Sequence, residues 1–188
     1  MGVFEAKNFD RLLGTEGFSD QLLKNHFTLY QGYVNNTNKL SELLKNLSPA
    51  SPEYAELKRR FGWEFNGMRL HEYYFENMIK GGTKVEKNSK IYKKIVESFG
   101  SYENWEKDFK AVGSLRGIGW AILYSVDDRL FNTWINEHDV GHLSGATPLL
   151  VMDVFEHAFM IDYGLKRADY IEAFFKAIDW NVVDSRLK

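Results

Sequence analysis

The longest pattern near the start of the chain is a stripe: Leu22, His26, Tyr30, Tyr33, Thr37, Leu40 and Leu44 recur at steps of 4, 4, 3, 4, 3 and 4. These steps follow the period of an α-helix. Ser19 suits the N-cap, and Asp20 sits in the first turn, where the helix dipole favours negative charge. The helix is expected to end near Ser48-Pro49. Ser51-Pro52 then opens a second helix, with Ser as cap and Pro where its missing N–H costs nothing. Its stripe is Phe61, Phe65, Met68, His71, Phe75 and Met78, and Gly81-Gly82 is expected to stop it. Two long helices on a tight link make an antiparallel hairpin. Residues 1–18, with three Gly and no clear period, read as an extended arm.

The second half has a different rhythm. Residues 83–88 are a polar link. Ser89 opens a helix that closes at Phe99-Gly100, and Ser101 opens another with Trp105, Phe109 and Val112 inward. After Gly117-Ile-Gly119 the pattern becomes β-rich: residues 120–126, a turn at Asp127-Asp128, then the alternating run 130–135. A loop, residues 138–148, leads to a short apolar strand at 149–152. Helical segments are expected at 154–163 and 167–178, with a short tail helix. The expected class is α+β: an N-terminal helical hairpin domain over residues 1–85, then a C-terminal α/β domain over 86–188 with about three antiparallel strands and flanking helices. There is no internal repeat.

Composition narrows the function. Of 188 residues 44% are hydrophobic and 15% aromatic, enough to bury a core and exclude disorder. The net charge of −2 offers no basic excess, so neither a nucleic acid nor an anionic membrane surface is expected as partner. The chain has no Cys, which excludes disulfide scaffolds, Cys-zinc sites, iron–sulfur clusters and thiol catalysis. No apolar run approaches the roughly 18 residues of a membrane span. The start lacks a basic head followed by an apolar stretch, and Ala6 stands where a myristoylation signal needs Ser or Thr. A cytoplasmic protein is expected.

Any metal must therefore be held by His and carboxylate. His26 and His71 each sit on the apolar stripe of a long helix, and paired helices can bring such residues together, as metal sites in bundles do. Each could equally be a hydrogen-bonded core residue. Asp153 and His157 lie four apart and can face one point. An apolar strand runs straight into Asp153, no Lys or Arg lies between Arg129 and Lys166, and a buried carboxylate without a cation is costly. A metal ion would meet that cost; Asp153 as a helix cap is the alternative. Three imidazoles and one carboxylate suit Mn, Fe or Zn. Rival sites fail on residues. A zinc-protease His-Glu-x-x-His helix would need His where Phe75 stands, and no Glu-x-x-His pair exists for a di-iron bundle.

With these residues in view, the chain resembles the iron/manganese superoxide dismutase family. Asp153-Val-Phe-Glu-His-Ala-Phe is very close to that family's Asp-x-Trp-Glu-His-Ala-Tyr signature. Tyr33-Val-Asn-Asn-Thr-Asn, Phe65-Asn-Gly-Met-Arg-Leu-His71, Phe99-Gly-Ser, Gly119-Trp-Ala, Thr147-Pro-Leu-Leu and Tyr170-Ile-Glu-Ala-Phe fall in the family's order, so the likeness covers roughly residues 5–187. The resemblance implies one Mn or Fe ion per subunit held by His26, His71, Asp153 and His157, two ligands from each domain. It implies conversion of superoxide to oxygen and hydrogen peroxide as the metal cycles between +3 and +2. By the same resemblance His138 bonds the metal's solvent ligand, Gly67 stands where some members instead place a Gln on the second helix, Trp120 and Phe155 line the site, and Glu156 contacts the partner's copy of His157 in a homodimer, with a tetramer as a further option. Phe75 and Phe155 stand where Trp is commoner. His142 reads as a surface loop residue.

Tyr33 resembles the family's gateway Tyr, which relays protons, but stands seven residues after the first His where eight is usual. Seven residues return to nearly the same helix face, so the helix here is expected to be regular, without the one-residue π-bulge proposed for relatives. Tyr30 remains the alternative relay. Family members often carry His near Tyr30, bonded to a partner-subunit Tyr that would fall at Met160, a residue that cannot donate. Two further readings stay beside the dismutase: a metal-binding relative with weak or no activity, and a structural domain with incidental His.

Overall fold

The computed structural model describes residues 3–187; Met1 and Gly2, the first two residues of the stretch read for a targeting signal, lie outside that range. Extended residues 3–9 lie along the first helix: the Phe4 N–H donates to Asn38 Oδ1 at 2.9 Å and the Lys7 N–H to the Tyr30 hydroxyl at 3.1 Å. A short 3-10 turn, Asp10–Leu12, buries Leu12. Helix α1 runs Asp20–Asn46, and the Ser19 hydroxyl accepts the Leu22 N–H as the sequence led one to expect. Its stripe is buried from Leu22 to Leu40, with Leu44 half-buried. It is α-helical throughout, with no π-turn.

Helix α2 spans Pro52–Glu76, capped by Ser51. Contacts from Tyr30 to Glu72 and from Asn36 to Glu64 run in opposite senses along the two helices, so the hairpin is antiparallel. Here the structure differs from the pattern reading: α2 stops at Glu76, before Gly81-Gly82. Met78 leaves the helix to bridge Ile178, and the Ile79 N–H donates to the Ala177 carbonyl at 2.8 Å. The backbone is claimed by a distant partner, and the two glycines only turn the chain afterwards. Phe61 and Phe65 are half-buried, whereas Met68, His71, Phe75 and Met78 are buried.

Helices α3 (Lys90–Phe99) and α4 (Tyr102–Gly113) follow, each N-capped by a serine. Trp105 and Phe109 are buried and Val112 half-buried. Strands β1 (Gly119–Val126), β2 (Arg129–Asn136) and β3 (Thr147–Asp153) form one antiparallel sheet in the order β2-β1-β3. The central strand is buried from Gly119 to Tyr124, which explains its continuous apolar run. Its register sets Trp120 opposite both Ile135 and Asp153.

The helix expected over 154–163 is instead a 3-10 turn, Glu156–Ala158, followed by the single turn α5, Met160–Tyr163. The Val154 N–H still pairs with the Gly119 carbonyl at 2.9 Å, and the Phe155 N–H is taken by Asp153 Oδ1 at 2.8 Å. Sheet pairing and a side-chain cap thus use the donors that would have started a helix. Helices α6 (Arg167–Ala177) and α7 (Trp180–Arg186) complete the fold. No helix among the described residues is long and apolar enough to cross a membrane.

One buried side chain ties α2 to β3. Asn77 Nδ2 donates to the Tyr74 and Val151 carbonyls, and its Oδ1 accepts from the Val151 N–H at 2.9 Å and from Arg186 at 3.3 Å. Asn77→Ala leaves these buried groups unpaired and is expected to cost on the order of 1–3 kcal/mol, read as a lower urea midpoint; parent-like stability would show that the clasp is dispensable.

Candidate metal centre

His26 comes from the second turn of α1, His71 from the last third of α2, Asp153 from the end of β3 and His157 from the 3-10 turn just after it. The structure brings these four together: one donor atom from each lies within 4.8 Å of all the others. His26 Nε2 and His157 Nε2 are each 3.1 Å from Asp153 Oδ2, and His71 Nε2 is 3.5 Å from the same oxygen. His26, His71 and Asp153 are fully buried, and His157 is half-buried.

Hydrogen-bond polarity tests whether these residues fit a cation. His71 Nδ1–H donates to the Gly67 carbonyl at 2.6 Å, so the proton of the neutral ring is on Nδ1. His71 Nε2 is then a lone pair. It is buried, has no hydrogen-bond partner, and faces a carboxylate oxygen. Two acceptors turned toward each other in a buried place repel unless a cation lies between them. Burial also holds the pKa of His26 below the ordinary histidine value, and burial with the neighbouring imidazoles holds that of His71 well below it. Both rings are therefore neutral near pH 7. Burial alone would raise the Asp153 pKa, but the imidazoles of His157 and His26 outweigh it and keep the carboxyl ionised. Neutral His26 and His71 and an ionised Asp153 are in the forms that bind metal.

A chain of hydrogen bonds lies beside this cluster. The Trp120 indole N–H can only donate, and it reaches His138 Nδ1 at 3.1 Å. Burial pushes the His138 pKa down to about 4. The neutral ring therefore carries its proton on Nε2, which donates to the Tyr33 hydroxyl oxygen at 2.8 Å. The Tyr33 O–H is thereby left free to donate elsewhere. Burial, then the charges of Asp153 and Glu64, raise its pKa, so the proton stays on at neutral pH. The Tyr33 ring stacks on His71, with centroids 5.1 Å apart. Phe155 stacks on His138 at 4.7 Å and on His157 at 5.2 Å, and Phe75 packs edge-on to His26 at 4.9 Å.

Other expected residues lie apart. The Tyr30 hydroxyl donates to Glu72 at 2.9 Å, on the side of α2 where Glu72 pairs with Arg69 and Lys7. Tyr30 is thus committed to a carboxylate away from the cluster. Glu156 is exposed, in a cleft with Met160, Leu115 and Leu165. Gly67 has no room for a side chain, because a Cβ there would stand 2.6 Å from the Tyr33 ring. His142 is not a bare surface residue: it is half-buried and bonded at both ring nitrogens.

The pattern reading missed three neighbours. Trp63 packs against His138 with centroids 4.5 Å apart and donates its indole N–H to Glu137 at 3.0 Å. Arg60 lies 3.8 Å above the Trp63 ring, its charge compensated by buried Glu64. The Tyr170 hydroxyl donates to the Asp153 carbonyl at 2.5 Å and lies 3.2 Å from that of Tyr74. Trp63, two residues past Phe61 of the α2 stripe, was the only signal for the first, and Tyr170 stood in the Tyr170-Ile-Glu-Ala-Phe match without a role at the site.

Comparison with known proteins identifies relatives of the chain. The family model for the C-terminal domain of iron/manganese superoxide dismutases matches residues 87–186. An iron superoxide dismutase of Aquifex aeolicus is 37% identical over 100% of this chain and 93% of its own length. A manganese superoxide dismutase of Haloferax volcanii is 37% identical over 87% of this chain and 83% of its own. An iron enzyme of Cupriavidus metallidurans is 36% identical, with 90% and 88% covered.

Two outcomes follow from the geometry. In the metal-free protein the lowered pKa values of His26, His71 and His138 mean that the unfolded chain binds more protons below pH 6.5, the ordinary histidine value. Stability is therefore full above that pH and falls as the pH drops toward about 4, where His138 itself titrates. Urea unfolding at successive pH values reads this, and a flat profile would mean that the rings are charged in the fold. Gly67→Ala is expected to displace the Tyr33 ring and cost about 1–3 kcal/mol; unchanged unfolding and turnover would show that the ring can step aside.

Proposed function

This chain belongs to the iron/manganese superoxide dismutase family, and on that premise we propose that it converts superoxide to oxygen and hydrogen peroxide with one Mn or Fe ion held by His26, His71, Asp153 and His157. The observation that carries the ligand set is the His71 Nε2 lone pair facing Asp153 Oδ2 at 3.5 Å, with two more imidazole nitrogens on the same oxygen. Such an ion supplies one-electron redox chemistry: one superoxide gives up an electron and leaves as oxygen, and a second takes it up and leaves, with two protons, as hydrogen peroxide. Relatives of both the iron and the manganese kind accompany this chain, and the donor set suits either ion. Two ligands come from each side of residue 85, which we take as the division between the domains.

The chain's own residues would do the rest. Asp153 brings one negative charge that offsets part of the ion's charge. Tyr33 is the proton donor, since its hydroxyl oxygen already accepts from His138 and its O–H is free. Trp120 fixes the His138 tautomer by donating to Nδ1, so that the single remaining N–H points at Tyr33. Phe155 and Phe75 give the cluster apolar walls, which limit water around the ligands. Tyr30 is a structural residue in this reading, because Glu72 takes its proton.

We also assign a homodimer, with a tetramer as a further arrangement. Exposed Glu156 shares its cleft with Leu115, Met160 and Leu165, and Ile118 and Ile161 are exposed as well. The same cleft carries Arg116, Lys166 and Arg167 beside Glu156, so it offers a partner surface apolar contacts together with charges of both signs. Tyr30 needs no cross-subunit bond, since its hydroxyl is satisfied within its own chain.

Purified protein should hold about one Mn or Fe per chain and accelerate superoxide decay; stoichiometric metal without activity would refute the enzyme reading. His71→Ala should lose the metal, and retention would mean that the ligand set is wrong. Tyr33→Phe should lower turnover by about tenfold or more with metal content unchanged. Tyr30→Phe should leave turnover near parent level while costing about 1–3 kcal/mol of stability, since buried Glu72 loses a donor; the opposite pattern would make Tyr30 the relay.

A further inference from the structure

The loop between β2 and β3 carries His138, and nothing in a loop by itself holds a ring within reach of two partners. The neck of the loop is closed by backbone pairing between Asn136 and Val140. That pairing leaves the His138 carbonyl free, and His142 takes it up. His142 Nε2 is 2.9 Å from that carbonyl, and His142 Nδ1 is 2.7 Å from the Tyr124 hydroxyl. A carbonyl can only accept, so His142 carries its proton on Nε2. In the neutral ring Nδ1 is then a lone pair, to which the Tyr124 hydroxyl donates. The donors therefore run one way, from Tyr124 through His142 to the backbone of His138.

Tyr124 is 2% exposed on the central strand β1. It lies four residues after Trp120, on the same face of the strand. One strand thus grips His138 twice: Trp120 holds the imidazole directly, and Tyr124 holds the main chain through His142. We propose that His142 is a positioning residue for His138, keeping its carbonyl fixed so that the imidazole stays between Trp120 and Tyr33. His142 is outside the four-residue cluster and acts only through its two hydrogen bonds. The inference rests on the reading above that the His138–Tyr33 pair serves proton delivery.

His142→Leu removes both bonds while keeping an apolar side chain of similar bulk. His142→Gln restores a donor and an acceptor on one planar group. Tyr124→Phe removes a single hydroxyl. Two readouts are used: turnover of the metal-loaded enzyme with metal content measured, and the 15N–1H signal of the Trp120 indole in the metal-free full chain, which reports its bond to His138. In His142→Leu the indole signal should shift toward that of an unbonded tryptophan and turnover should drop about tenfold with metal content unchanged, while His142→Gln recovers most of both. An unmoved indole signal in His142→Leu overturns the positioning role, as does a Gln variant no better than the Leu variant. A shifted signal with intact turnover upholds the positioning and overturns the assignment of His138 to proton delivery. Should the Leu variant fail to fold, Tyr124→Phe decides: a shifted indole signal supports the proposal and an unmoved one ends it.

Discussion

A carboxylate that is fully buried and ionised constrains everything around it. Asp153 ends a strand, and among the described residues its only ion-pair partners are imidazoles, so its charge must be met by them and by whatever ion they hold. The surrounding structure fixes where that charge sits. Sheet register sets Trp120 opposite Asp153, the Tyr170 hydroxyl holds the Asp153 carbonyl, the Phe155 N–H holds one carboxylate oxygen, and Asn77 clasps the same strand to α2. The other carboxylate oxygen is left to three imidazole nitrogens.

Direction matters as much as distance. A carbonyl, an indole N–H and a second carbonyl each allow only one sense of hydrogen bonding, and between them they settle where the protons of His71, His138 and His142 sit. His71 presents a lone pair to the cluster, and His138 presents an N–H to Tyr33. These polarities follow from partners that can bond in one sense only, a carbonyl that accepts and an indole N–H that donates.

The long helices could be read from the chain because period and capping are local: Ser19, Ser51, Ser89 and Ser101 each accept the N–H bonds expected of them. The hairpin turn at Asp127-Asp128 and the inward His26 and His71 were legible for the same reason. What failed was decided at long range. The end of α2 depends on Met78 pairing with Ile178, and the broken segment after Asp153 depends on Val154 pairing with Gly119. The helical period put Tyr30 and Tyr33 on the same inward face; only the third dimension separates them, one toward Glu72 and the other toward His138. Trp63 and Tyr170 take their roles from partners 74 and 17 residues distant, which no local pattern records, and His142 needs Tyr124, 18 residues away, beside its neighbour His138.

The vacancy at position 67 has a consequence for how such a site can change. The Tyr33 ring fills the volume that any larger residue there would claim, so two positions 34 apart compete for one space. Neither can be altered freely while the other stays. A drift toward a bulkier helix residue has to be matched by a retreat of the aromatic ring, and the hydroxyl now bonded to His138 goes with it. In this chain the phenol occupies the space, and position 67 gives way to it.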